Sequence, residues 1–335
     1  MNDFQETYLF TNGESGVCEY RIPALITTKT GALIAVCDAR IDRPGDAPNN
    51  IDLVMRRSLD NGETWTPMQV IAGFPGDEAA CDPCILADNR TGTVWVFYDY
   101  AIPHESLPRK RKMMFHAICS DDDGATWSPP RDMTRQVVKP GWYYLSVAPG
   151  RGLQTADGTL CVPVYSVKHN DTRSSHLLCS EDHGERWDVR AGVGEALGEP
   201  QAVQLDDESI MMNMRQPKTA GCRAVTVSQD GGRSWSTPRD EKRLVDPGCQ
   251  ASILKYDHPD ADCRPLIFSN SACATERRNM TVHLSYDEGE TWRVSRVVHP
   301  GRSVYSCLTT ISDGNVGLLY ENANGMVFAR FPLDD

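Results

Sequence analysis

Three groups of residues in this chain have types and spacing that suggest chemistry. Cys81 and Cys84 form its one Cys-x-x-Cys pair, a spacing used for zinc or for redox dithiols. No second Cys or His pair stands at ligand spacing nearby and no βαβ pattern surrounds it, so two buried thiols are expected instead. The second group is a set of Asp-Gly-rich segments that could ligate calcium, yet none carries the long ligand series ending in a bidentate Glu. The third is cationic. The formal net charge is −12, which argues against nucleic acid or an anionic membrane as partner. A small anionic substrate would need arginines gathered locally against that field. Arg21, in Tyr20-Arg21-Ile22-Pro23 ahead of the apolar run 32–38, is a first such residue.

The Asp-Gly segments also reveal what must position these residues. One phrase, Ser-x-Asp-x-Gly-x-Thr-Trp or a near variant, recurs at 58–65, 120–127, 180–187, 228–235 and 285–292, with starts 62, 60, 48 and 57 residues apart. Asp accepts backbone N–H bonds and Gly takes a positive φ, so each box reads as a tight hairpin turn. The closing Trp is expected to seal the turn against its own unit. Alternating runs such as 53–58 and 281–285 lead into the boxes as half-buried strands. A repeat of this length matches a four-stranded propeller blade. The expected fold is therefore all-β: a six-bladed β-propeller with four antiparallel strands per blade. Five blades carry boxes, and the sixth joins the N-terminal segment to strands at 316–320 and 326–331. No linker interrupts the boxes, so one domain over 1–335 is expected.

The twelve cysteines are scattered and lie mostly in apolar strands. The N-terminus lacks a basic start followed by an apolar run, and no stretch reaches the 18 apolar residues of a membrane span. Reduced thiols and a cytoplasmic location are expected, with a secreted form whose leader has been removed as the alternative.

Five Asp boxes together with the Arg-Ile-Pro segment resemble the sialidase (neuraminidase) family, bacterial-type exo-acting enzymes that release terminal sialic acids. The resemblance runs from about Tyr8 to Phe331, with the motifs in the family's order. It implies an arginine triad that clamps the sugar's carboxylate: Arg21; Arg215, sixteen residues after Glu199; and Arg277, with Arg278 as the fallback. Guanidinium forks suit a planar carboxylate. The family's Tyr-Ser motif implies Tyr305 as nucleophile and Glu199 as its general base, whereas Tyr320 is read as a packing residue. A neutral phenol suits an anomeric carbon that bears a carboxylate and would repel an anionic nucleophile. The surrounding arginines are expected to favour phenolate and carboxylate alike. A flexible loop some 25 residues after Arg21 implies Asp46 as acid and then base, with Asp42 as competitor. Arg40 and Asp82 match positions that bind the sugar's O4 hydroxyl, or else form a structural ion pair. Neither metal nor organic cofactor is implied, and the partner is a sialylated glycan or oligosaccharide. Alternatives are a hydrolase or transglycosylase for a related ulosonic acid, and a non-catalytic sialic-acid-binding propeller.

Overall fold

The computed structural model describes residues 4–261 and 263–333. The outermost residues of the expected 1–335 domain, including the first three of the segment read for a leader, lie outside the described residues. Strands dominate the described residues, 25 in all, and the longest helix is the single turn Thr134–Val137. The fold is all-β.

Most strands follow one another in antiparallel order. Glu19–Thr27, Leu33–Arg40, Ile51–Ser58 and Gln69–Ala72 form one such run. Ala79–Ala87, Val94–Pro103, Arg111–Ser120 and Arg131–Asp132 form the next. Gly198–Gln204 through Arg239–Val245 make a separate four-stranded sheet. At the end of the chain, Gln5–Thr11 pairs antiparallel with Gly325–Pro332, so the first strand closes the edge of the last sheet.

The strands are more deeply covered than their alternation suggests. In Ile51–Ser58, Leu53 and Met55 join a cluster with Ile85 and Val96, while Val54 joins a different cluster with Leu319 and Phe328. Each face of this strand meets a neighbouring run, so the expected half-burial gives way to burial on both sides.

All five boxes share one set of bonds. The Ser hydroxyl donates to the Asp and accepts the Gly N–H, as in Ser180 to Asp182 at 2.8 Å and Gly184 N–H to Ser180 at 2.8 Å. Where a Thr is present, its hydroxyl caps the second Asp oxygen, as for Thr64 and Asp60 at 2.6 Å. These donors, led by the Thr64 hydroxyl, hold the Asp60 carboxyl down at about 2. The Asp oxygens are thus engaged by the turn itself.

The Trp does not seal only its own unit. Trp65 meets Phe328 of Gly325–Pro332 with centroids 5.0 Å apart, and Trp187 meets Phe97 of Val94–Pro103 at 4.9 Å. In these boxes an aromatic wedge locks the turn onto the adjacent run. Trp292, against Phe268 at 5.8 Å, follows the expected pattern.

The first strands of different runs are stapled by buried amides. Gln250 donates to the carbonyls of Pro149 (3.1 Å) and Ser306 (3.0 Å) and accepts the Ser306 N–H (3.0 Å). Gln201 also donates to Pro149 O, at 3.1 Å. Buried amides satisfied this fully fix the relative height of the strands they join.

Candidate active site

A cavity of about 260 Å³ is lined by Arg21, Arg40, Asp46, Asp82, Glu199, Arg215, Arg277 and Tyr305. All eight residues singled out in the sequence therefore line one space, although they come from segments up to 284 positions apart. Asp42 and Arg278 do not line it. Asp42 accepts a bond from Asn50 at 3.0 Å, and Arg278 pairs with Glu276 at 3.2 Å. Tyr320 is buried elsewhere and donates to Glu6 at 2.7 Å.

A recurring backbone device aims several of these side chains. The Arg-Ile-Pro segment lies inside a strand of its own, Glu19–Thr27, which precedes the strand of the apolar run, Leu33–Arg40. Its register breaks between Arg21 and Ala24, and comparable breaks fall between Cys81 and Cys84 and between Gly198 and Gln201. At these bulges Ile22, Asp82 and Glu199 have φ of 64°, 59° and 39°, and each is followed by a proline. Proline cannot donate to a ladder, so it is tolerated at a bulge, where the extra residue re-aims its neighbours. Left-handed backbone at a β-branched residue such as Ile22 is strained by about 1–3 kcal/mol, a cost the surrounding structure must offset.

Tyr305 is placed by a strand that changes partner. In Arg293–Thr310, residues up to Arg302 pair with Arg278–Ser285, and from Ser303 onward the strand pairs with Asn315–Asn322. The ladder shifts between Ser303 and Ser306, and Tyr305 lies in that step.

The phenol of Tyr305 donates towards Glu199, with both carboxylate oxygens at 2.9 Å. Arg215 Nη1 donates to Glu199 Oε1 (2.6 Å) and to the Tyr305 oxygen (3.1 Å). The guanidinium carbons of Arg21 and Arg277 each sit 5.8 Å from the Tyr305 ring centroid. Burial opposes the charge of Glu199, but Arg215 and the Tyr305 hydroxyl more than offset it and hold the carboxyl below its usual range. Tyr305 behaves differently from expectation. Burial and then the Glu199 charge push its phenol well up, outweighing Arg215. The resting site therefore holds a carboxylate beside a protonated phenol, not two anions.

Glu321, which the sequence reading did not single out, anchors Arg21. It accepts Arg21 Nε at 2.5 Å and the Ile22 N–H at 2.8 Å while only 1% exposed. Its signal was an acid immediately after Tyr320 in an otherwise apolar strand.

Asp46 bonds Arg40 Nη2 at 2.7 Å, and its side chain is 80% exposed at the mouth of the cavity. The loop is pinned rather than free. Buried Asn49 donates to Arg43 O (2.9 Å) and Gly45 O (3.0 Å), and Arg111 donates to Ala47 O at 2.5 Å. Arg40 also approaches Asp38 at 3.9 Å, and Asp38 accepts the Asp82 N–H at 3.0 Å.

Burial, then Asp46 and Glu199, raise Asp82 to about 7. An acid raised above its unfolded value stabilises the fold most at low pH and loses that contribution as pH climbs through about 7. Asp82→Asn is therefore expected to reduce the fall in Tm between pH 5 and pH 8, measured by calorimetry. An unchanged fall would show that Asp82 is ionised throughout.

Burial pushes the Cys81 and Cys84 thiols well up, as inert thiols require. All twelve cysteines are free and eight are buried.

The BNR repeat-like domain family matches residues 23–318. A sialidase of Micromonospora viridifaciens is 36% identical over 98% of this chain, and the chain spans about half (54%) of that relative's length. An exo-alpha-sialidase of Aspergillus fumigatus is 30% identical over 92% of the chain and 79% of the relative. Among solved structures, a Hadza microbial sialidase superposes with a TM-score of 0.89 at 31% identity, covering 98% of this chain and 68% of that one. With its BNR repeat-like match spanning most of its length, the chain belongs to the sialidase family.

Proposed function

We propose that the chain is an exo-α-sialidase, a retaining glycoside hydrolase that removes terminal sialic acids from glycans or oligosaccharides. The observation that carries this reading is the Tyr305 hydroxyl bonded to Glu199 and Arg215, with Arg21 and Arg277 flanking its ring. Such a site suits an anionic sugar whose reacting carbon adjoins its carboxylate.

In this mechanism Arg21, Arg215 and Arg277 bind the carboxylate and hold the anomeric carbon over the phenol. Glu199 takes the Tyr305 proton as the phenol oxygen bonds that carbon. Asp46 protonates the departing glycosidic oxygen as its bond breaks. A high resting phenol pKa is compatible with this step, because deprotonation accompanies attack and the arginines stabilise the developing charge. Asp46, now a carboxylate, takes a proton from water. The resulting hydroxyl displaces Tyr305, which recovers its proton from Glu199. Two inversions return the original configuration.

For the scaffold, we read the antiparallel runs as six four-stranded blades of a propeller in one domain. Support comes from the pairing of the two chain ends and from a cavity lined by residues of several runs.

Incubation with a methylumbelliferyl glycoside of N-acetylneuraminic acid tests the reading. Release of the free sugar, first seen as the α-anomer by NMR, is expected. An anhydro product would replace hydrolysis with intramolecular transfer, and absence of any product would reject the activity.

Arg215→Ala should raise KM about tenfold or more, since a charge-assisted bond contributes about 1.5–3 kcal/mol. The same change frees Glu199 from its nearest cation, so the acid limb of the kcat/KM profile should move to higher pH. An unmoved KM and limb would remove Arg215 from the clamp.

A further inference from the structure

A second cavity of about 720 Å³ adjoins the first, and the two share Arg109, Arg173, Arg215 and Arg277. To these arginines the larger space adds Lys218 and Arg302, against only two acids, Asp171 and Glu276. Both acids already have partners: Asp171 pairs with Arg109 at 3.0 Å and Glu276 with Arg278 at 3.2 Å. Among the described residues, Arg173, Lys218 and Arg302 have no carboxylate at ion-pair distance.

The excess is notable in a chain of net charge −12. Arg302 stands directly across the ladder from Arg278, an arrangement that opposes strand pairing on its own. That neighbour gives Arg302 no stabilising partner in the ladder. The space the cluster surrounds shares Arg215 and Arg277 with the cavity beside Tyr305, so a glycan held in the first cavity has this one within reach. A neutral sugar there would leave these cations unused, whereas an anionic one would satisfy them.

We infer that this groove receives the leaving-group portion of the substrate and favours an anionic sugar in it: the carboxylate of a second sialic acid, or a sulfated sugar. The inference rests on the sialidase reading and names the substrate class of the same site. Lys218 and Arg302 act as specificity residues that meet the second negative charge, while the first carboxylate stays with the clamp.

The test compares kcat/KM on four substrates: sialyllactose, disialyllactose with its two sialic acids in tandem, a sulfated sialyllactose, and the methylumbelliferyl glycoside. At low salt, one or both of the doubly anionic substrates should exceed sialyllactose about tenfold, and salt should narrow the gap. Preference for the tandem substrate alone identifies the carboxylate, and preference for the sulfated one alone identifies the sulfate. The double variant Lys218→Gln/Arg302→Gln should abolish most of the preference while leaving the methylumbelliferyl glycoside within about twofold of the parent. Equal rates on all glycans overturn the inference while leaving the sialidase reading intact. So does a double variant that slows every substrate alike. Failure to cleave any of the four, by contrast, overturns the sialidase reading and this inference with it.

Discussion

Tyr305→Phe should lower kcat on sialosides by on the order of 10³-fold or more and leave the folded structure in place. Among the described residues the hydroxyl bonds only Glu199 and Arg215, whereas the ring is held between neighbours that phenylalanine retains. In the proposed mechanism removal of the hydroxyl takes away the atom that bonds the anomeric carbon, and with it the proton that Glu199 would accept. Glu199→Gln should cost about 10²–10⁴-fold alone. It should add little to Tyr305→Phe, because the two residues act as one unit. Circular dichroism and the unfolding midpoint would confirm that the fold survives. Near-normal turnover by a folded Tyr305→Phe protein would assign the attack to another group.

Asp46→Asn separates two parts of the cycle. Substrates with a poor leaving group need a proton on the departing oxygen, and losing the acid should cost them about 10²–10⁴-fold. The methylumbelliferyl group departs with little help, so its first step should be nearly unaffected, and what loss remains should come from the slower hydrolysis of the tyrosyl intermediate. The exposed position of Asp46 on Arg40 leaves it accessible to a glycosidic oxygen arriving from solvent. Asp42→Asn is the control, since Asp42 accepts its bond from Asn50 of the same loop and does not line the cavity. Equal loss of kcat/KM, which reports the first step alone, on both substrates for Asp46→Asn would move the acid elsewhere.

The two predictions test opposite sides of one geometry. Tyr305 and Glu199 form a buried, hydrogen-bonded pair whose protons are set by low polarity and Arg215. Asp46 lies at the mouth, where its environment changes when substrate covers it. One group is prepared before binding and the other is completed by it.

What the sequence alone determined was local. Each Asp box is a self-contained turn, with Ser, Asp and Gly, and Thr where it is present, bonding within eight residues, so its repetition in the chain was sufficient to announce repeated strand hairpins and an all-β fold. The candidate residues were picked out by the order and spacing of motifs that resemble a family's, and of the two open choices Arg277 and Asp46 line the cavity whereas Arg278 and Asp42 do not. Charges, bulges and partners depended on distant contacts. The Pro after Ile22, Asp82 and Glu199 was visible, but that it marks a left-handed step in a strand emerged only with the neighbouring strands in place. Glu321 could not be linked to Arg21 from 300 positions away, and the destination of each box Trp depended on which run packed beside it. The direction in which the site shifts Tyr305 was misjudged for the same reason. Counting arginines indicates a phenol more easily ionised than usual, but burial and the adjacent Glu199 prevail and push it up, and both are properties of the assembled site. Turn chemistry spans a few bonds and is written in sequence, whereas desolvation and pairing across a cavity come into being only when remote strands meet.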